Sequence, residues 1–166
     1  TSDNYNDGDR KVSGGRNGYG AKLANIFSTR FVVETADPDS RKLYNQIFEN
    51  NMTVVHKPQV TDYVGSGFTR ISFSPDLERF GVAQLSKDVL GLMSKRVYDV
   101  AGSLNGKCRV VLNGRQLPIN GFKDYVQMYF TRGHSEGTST EAFIFQTCSD
   151  RWQVAISNSD AGFQQV

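Results

Sequence analysis

Apolar positions recur along this chain with two periods, and the switches between them lay out its elements. Residues 1–20 are polar and glycine-containing and read as a loop or lid. Leu23, Ile26 and Phe27 then share one helical face, with Tyr19 a turn earlier, which predicts a short amphipathic helix. The stretch RFVVET at 30–35 is rich in β-formers and is closed by the turn sequence Asp37-Pro38-Asp39. Over 41–50 the pattern of Leu43, Tyr44, Ile47 and Phe48 suits either a helix or one strand of a hairpin. Thr69, Ile71 and Phe73 alternate with Arg70, Ser72 and Ser74, which predicts a half-buried strand ending at Pro75.

Beyond Ser86, a residue suited to cap a helix, Val89, Leu90, Met93, Val97 and Ala101 mark the longest helix. Residues 110–117 form a hairpin signal through Asn113-Gly114, and Phe122, Tyr125, Val126 and Tyr129 mark another helix. After the polar run TRGHSEGTST, residues 142–148 and 151–157 read as two antiparallel strands, with Trp152, Val154 and Ile156 on one face. The sum is a mixed α/β chain with a boundary near 118–121.

Composition narrows the classes. The 166 residues suit one domain or one domain plus part of another, and 38% hydrophobic with 22% charged residues is ordinary for a globular protein. No apolar run approaches the roughly 20 residues of a membrane span, and the polar start TSDNYNDGDRK is no signal peptide. Cys108 and Cys148 have no metal-ligand spacing, and a net charge of +2 does not by itself argue for nucleic acid. His56 and His134 lie in polar loops with no acid or nucleophile in sequence reach, which favours a surface role for each. The chain starts inside a polar loop and stops at GFQQV without a capping element, so it is expected to be a piece of a longer one.

The densest chemistry lies in GGRNGYGAK, residues 14–22, where four glycines and two cations precede an apolar helical pattern. Such a loop can wrap an anion with bare N–H groups, and it can equally be a solvated turn. Walker A chemistry fails because Ala21 separates Gly20 from Lys22 and Leu23 follows. A dinucleotide fingerprint fails because the order is G-x-x-G-x-G and no apolar strand precedes it. A calcium loop from Asp3 would put Tyr5 on a ligand position and Gly14 where a bidentate glutamate belongs. The surviving mechanism is glycine backbone feeding a helix N-terminus. The helix dipole disfavours Lys22 in that first turn by about 0.3–1 kcal/mol, and a nearby anion would account for it.

The run TSDNYNDGDRKVSGGRNGYGAKLANIFSTRFVVETA resembles the ATP lid and glycine box of the eukaryotic type II DNA topoisomerases, part of an ATPase family shared with gyrase, a heat-shock chaperone, histidine kinases and MutL. The likeness continues in the family's order through FTRISFSPDL, KRVYDVAGS, LNGRQLP and GFKDYVQMYF to GFQQ. It implies a two-layer α/β sandwich of the Bergerat type lacking its N-terminal part over 1–117, then the start of a transducer domain over 118–166. Gly15, Arg16, Asn17, Gly18, Tyr19, Gly20, Ala21 and Lys22 would line the β- and γ-phosphates of ATP. Ser2 and Asn4 would reach the ribose and phosphates, and Thr69 would lie under the adenine. Asp3 stands where the family has a second serine, placing an acid where a hydroxyl is usual.

The resemblance also locates absences. The water-activating glutamate, the Mg²⁺-holding asparagine and the D-x-G-x-G adenine box lie upstream of the lid in this family and have no counterpart here. Asp62-Tyr-Val-Gly65-Ser-Gly67 has one residue too many and follows the lid. No catalytic or metal-ligating residue is therefore expected in this chain. For the parent enzyme the resemblance implies ATP and Mg²⁺, a homodimer whose N-terminal gate closes on double-stranded DNA, and a nuclear location. The competing readings are a gyrase B-like or MutL-like ATPase and a non-enzymatic α/β binding module.

Overall fold

The glycine-rich loop runs into helix α1 (Tyr19–Ile26), and after the single residue Phe27 the chain enters a ten-residue strand, β1 (Ser28–Asp37). The computed structural model describes residues 5, 6, 8, 15–130, 143–150, 152–158 and 165, and divides the chain into two compact units, Thr1–Leu85 and Ser86–Val166.

In the first unit β1 turns back into β2 (Lys42–Glu49). Asp37 builds the turn by accepting from the Asp39 and Ser40 N–H groups at 3.1 and 3.3 Å, and Arg41 takes a φ of 53°. The stretch 41–50 is thus a strand. The turn lays it along β1 in register from Arg30↔Glu49 to Asp37↔Lys42, and pairing overrides a local pattern that was neutral between helix and strand.

On the other edge of β1 lies β5 (Phe68–Pro75), in the position predicted from alternation. Two short strands without a sequence signal, β3 (Val54–Val55) and β4 (Gln59–Asp62), both pair with β2. The sheet is antiparallel, of order β3-β2-β1-β5 with β4 also on β2. Interior strand β1 supplies the buried Phe31, Val32 and Ala36, and the Phe31 ring sits 6.4 Å from Phe48 and 6.1 Å from Phe73. His56 Nε2 meets the Glu49 carboxylate at 2.6 Å, so the histidine does have an acid partner, supplied by the β2–β3 register; both side chains remain exposed.

The second unit opens with α2 (Lys87–Ser103), whose N-cap is Ser86, its hydroxyl accepting from the Val89 N–H at 3.2 Å. A hairpin of β6 (Val111–Leu112) and β7 (Arg115–Gln116) follows, turning at Asn113 and Gly114 with φ of 50° and 79°. Next come α3 (Phe122–Phe130) and a hairpin of β8 (Ile144–Ser149) and β9 (Trp152–Ile156). The core joins Ala101 of α2, Leu117 and Ile119 of the connection and Tyr125 of α3. Gly102 makes this approach possible, since a Cβ there would lie 2.8 Å from Tyr125 Cβ and Cγ. The segments on either side of 117/118 therefore share one core, and the division between units falls earlier, after Leu85. On the last hairpin Trp152, Val154 and Ile156 do share a face, but Trp152 and Ile156 are exposed, while Phe145 on the opposite face meets Phe122 at 6.2 Å.

A polar cluster ties α2 to α3. Asp99 accepts from Lys95 Nζ at 2.8 Å, Arg96 at 3.2 Å and the Tyr125 hydroxyl at 2.6 Å, and Tyr129 lies 2.7 Å from that hydroxyl. Lys95 first, then Tyr125, holds the Asp99 carboxyl below the usual aspartate range. Burial first, then the bond to Asp99, pushes the Tyr125 phenol up, so it remains a donor. A carboxyl whose folded pKa is depressed adds stability above its unfolded value of 3.8 and loses that contribution as pH falls towards the folded value. Wild-type melting temperature is therefore expected to decline below about pH 4 by a component that Asp99→Asn lacks, as read by thermal melts from pH 6 to 2.

Candidate functional site

The loop–helix junction is built around one left-handed residue. Gly18, the N-cap of α1, has φ 68° and ψ 23°, a conformation that costs other residues about 1–2 kcal/mol. Among the described residues no side chain caps α1, and its first turn holds no acid to offset the positive end of the helix. Residues 15–22 are all exposed, and Lys22 stands in this turn. A Cβ on Gly15 or Gly20 would meet nothing within 4 Å, which leaves room there for an approaching ligand. The geometry fits a polyphosphate: exposed backbone leading into a helix N-terminus, no carboxylate in the first turn, and cations at positions 16 and 22.

The other end of α1 is fastened. Phe27 N–H bonds to Leu23 C=O at 3.0 Å, and buried Ser28 donates its hydroxyl to Ala24 C=O at 2.6 Å. Asn51 Nδ2 donates both to Ile26 C=O at 2.9 Å and to Asp76 Oδ2 at 3.0 Å, while the Asp76 N–H reaches Phe27 C=O at 2.9 Å. Asn51 can do this because Asn50, Asn51 and Met52 all have φ between 51° and 65°, which curls the chain after β2 under the helix end. The Phe27 ring also meets Phe80 at 5.5 Å and Arg79 lies over it. The clamp has no local sequence signal, since its partners come from three separate segments.

Packing reverses one expectation for α1: Tyr19, Leu23 and Ile26 are exposed, and the helix buries Asn25, whose Oδ1 has no partner among the described residues. Thr69 sits at the start of β5, opposite Thr35 near the end of β1, and thus on a different element from the loop. Thr35 Oγ1 lies 3.1 Å from Thr69 Oγ1 and 3.2 Å from the Phe68 carbonyl to which it donates. Sequence pattern placed Thr69 on its strand but did not find Thr35, which only the β1–β5 register reveals. Ser2 and Asn4, together with Asp3 and His134, fall outside the described residues.

No family model matches the chain. Individual relatives do, across its whole length. It is 47% identical to DNA topoisomerase 2 of Candida glabrata over 178 aligned residues, and 49% identical to DNA topoisomerase 2 top-2 of Caenorhabditis elegans over 166. Its backbone superposes on the crystal structure of the ATPase region of Saccharomyces cerevisiae topoisomerase II with a TM-score of 0.89 and 46% identity. The chain belongs to the eukaryotic type II DNA topoisomerases, in their ATPase region. It spans 13% and 11% of the two relatives and 42% of the yeast ATPase-region chain, covered in each case by all of this one. The expected α/β architecture of the topoisomerase ATPase region is thereby confirmed. Among the described residues no group of three or more acidic, histidine or cysteine side chains converges. No helix among them is long and apolar enough to cross a membrane.

The two site glycines should separate in stability. Gly18→Ala is expected to lose about 1–2 kcal/mol because alanine is forced into the left-handed region. Gly20→Ala, inside the helix with open space at its Cβ, should gain about 0.5–1 kcal/mol. Urea unfolding of the two variants checks both signs.

Proposed function

We propose that this chain forms the lid and phosphate-holding part of the nucleotide site in an ATP-dependent type II DNA topoisomerase. In this reading Gly15, Arg16, Asn17, Gly18, Tyr19, Gly20, Ala21 and Lys22 cradle the β- and γ-phosphates. Ser2 and Asn4 serve the ribose side, and Thr69 serves the adenine. The observation that carries it is the uncapped N-terminus of α1 behind a left-handed Gly18, in a chain whose relatives are topoisomerases along its whole length. The first 117 residues belong to the ATP-binding domain and residues 118–166 begin the transducer, even though the segments on the two sides of that boundary share a core.

The chemistry of these residues is binding and orientation. N–H groups aimed at one point gain strength when an anion arrives there, because the donors are already fixed by the helix. Lys22 adds a mobile charge that follows the terminal phosphate as negative charge develops. ATP supplies a transferable γ-phosphoryl group when bound, and Mg²⁺ accompanies it. In the whole enzyme, ATP bound here closes the N-terminal gate of a homodimer around a DNA duplex, in the nucleus.

Two outcomes test the reading. The 166-residue chain alone is expected to hydrolyse no ATP above background, since positioning without a water-activating group gives no rate; phosphate release with and without Mg²⁺ measures this. In the full-length enzyme, Lys22→Met is expected to weaken ATP binding and gate closure while melting without nucleotide holds or rises, because a cation is lost from the positive helix end. The stabilising shift given by a non-hydrolysable ATP analogue should shrink accordingly. An unchanged shift together with wild-type strand passage would mark Lys22 as a solvated lysine outside the site.

A further inference from the structure

The pair Thr35 and Thr69 joins two strands through side chains at a point where the backbone register already places them opposite each other. A threonine hydroxyl has one proton and two lone pairs. A backbone carbonyl can only accept. The 3.2 Å bond from Thr35 Oγ1 to the Phe68 carbonyl therefore uses the Thr35 proton. The 3.1 Å contact between the two hydroxyls must then run the other way, with Thr69 donating and Thr35 accepting. This order leaves Thr69 Oγ1 with no proton to offer outward and with free lone pairs on an exposed residue.

We propose that Thr35 is a positioning residue that sets the hydrogen-bond polarity of Thr69, so that Thr69 presents an acceptor to the nucleotide base and favours a base edge that donates, such as the 6-amino group of adenine, over one that accepts, such as a 6-oxo group. The inference rests on the proposed adenine role of Thr69 and adds a residue and a direction to it. Neutral hydrogen bonds of this kind are worth about 0.5–1.5 kcal/mol, and facing two lone pairs towards each other adds the cost of an unmade bond. The effect on the ratio of affinities is then about three- to tenfold, by the same energy range. Four residues of two paired strands fix the arrangement: Phe68 and Thr69 are adjacent on β5, and the register Ala36↔Phe68 with Thr35↔Thr69 continues without a bulge at this end of the pair. The order of the two hydroxyls follows from the Thr35 proton being given to the Phe68 carbonyl.

The test measures affinity of the full-length enzyme for a non-hydrolysable ATP analogue and for its inosine counterpart, in wild type, Thr35→Val, Thr35→Ser and Thr69→Ala. Each ratio is taken within one protein, so a change in the folded fraction cancels. Thr35→Val frees the Thr69 proton to turn outward, and the preference for the amino-bearing base is expected to fall about three- to tenfold. Thr35→Ser keeps the hydroxyl and should keep the wild-type ratio, which a purely structural loss would not restore. Adding Thr35→Val to Thr69→Ala should change the ratio no further, since the two act as one unit. If Thr35→Val keeps the wild-type ratio while Thr69→Ala loses it, the polarity inference is wrong and the adenine role of Thr69 stands. If Thr69→Ala also keeps the ratio, Thr69 does not read the base, and both statements fall.

Discussion

A single residue, Phe27, separates helix α1 from the strand at the centre of the first sheet. So short a connection leaves little freedom in where α1 points. Once β1 is paired on both edges, by β2 and β5, the C-terminal end of the helix is fixed by covalent geometry and then clamped by Asn51 and Asp76. Rigidity at one end permits openness at the other. The helix does not rely on its first turn for its orientation.

The same division explains the residue choice along the loop. Glycine is required by conformation at Gly18, where φ is 68°. At Gly15 and Gly20 the surroundings set no such demand, so the absence of a side chain matters only to what approaches from outside. Lys22 fits this scheme as a charge placed against the local dipole.

The second unit is organised by close packing of α2 on α3 more than by a long sheet. Gly102 lets the helices approach, and the Asp99 cluster fills the polar end of the contact with charge-assisted bonds. Only the C-terminal part of α2 enters the core through Val97, Tyr98 and Ala101, while Val89, Leu90 and Met93 remain exposed. The hairpin β8–β9 likewise turns Trp152 and Ile156 outward.

Local physics determined much of this in the sequence alone. Helical spacing marked α1, α2 and α3, strict alternation marked β5, and Asn113-Gly114 marked a turn that demands positive φ at both positions. The glycine-rich approach to a helix start was legible because it lies in one consecutive stretch of chain. Long-range pairing decided the rest. Whether 41–50 was helix or strand depended on β1 lying beside it, and β3 and β4 are too short to carry a period of their own. The Asn51–Asp76 clamp, the His56–Glu49 pair and the Thr35–Thr69 contact join residues 7 to 34 positions apart. Their types are ordinary where they stand. The register of an antiparallel sheet, which periodicity cannot specify, brings the last two within bonding distance, and the left-handed run after β2 brings Asn51 to Asp76.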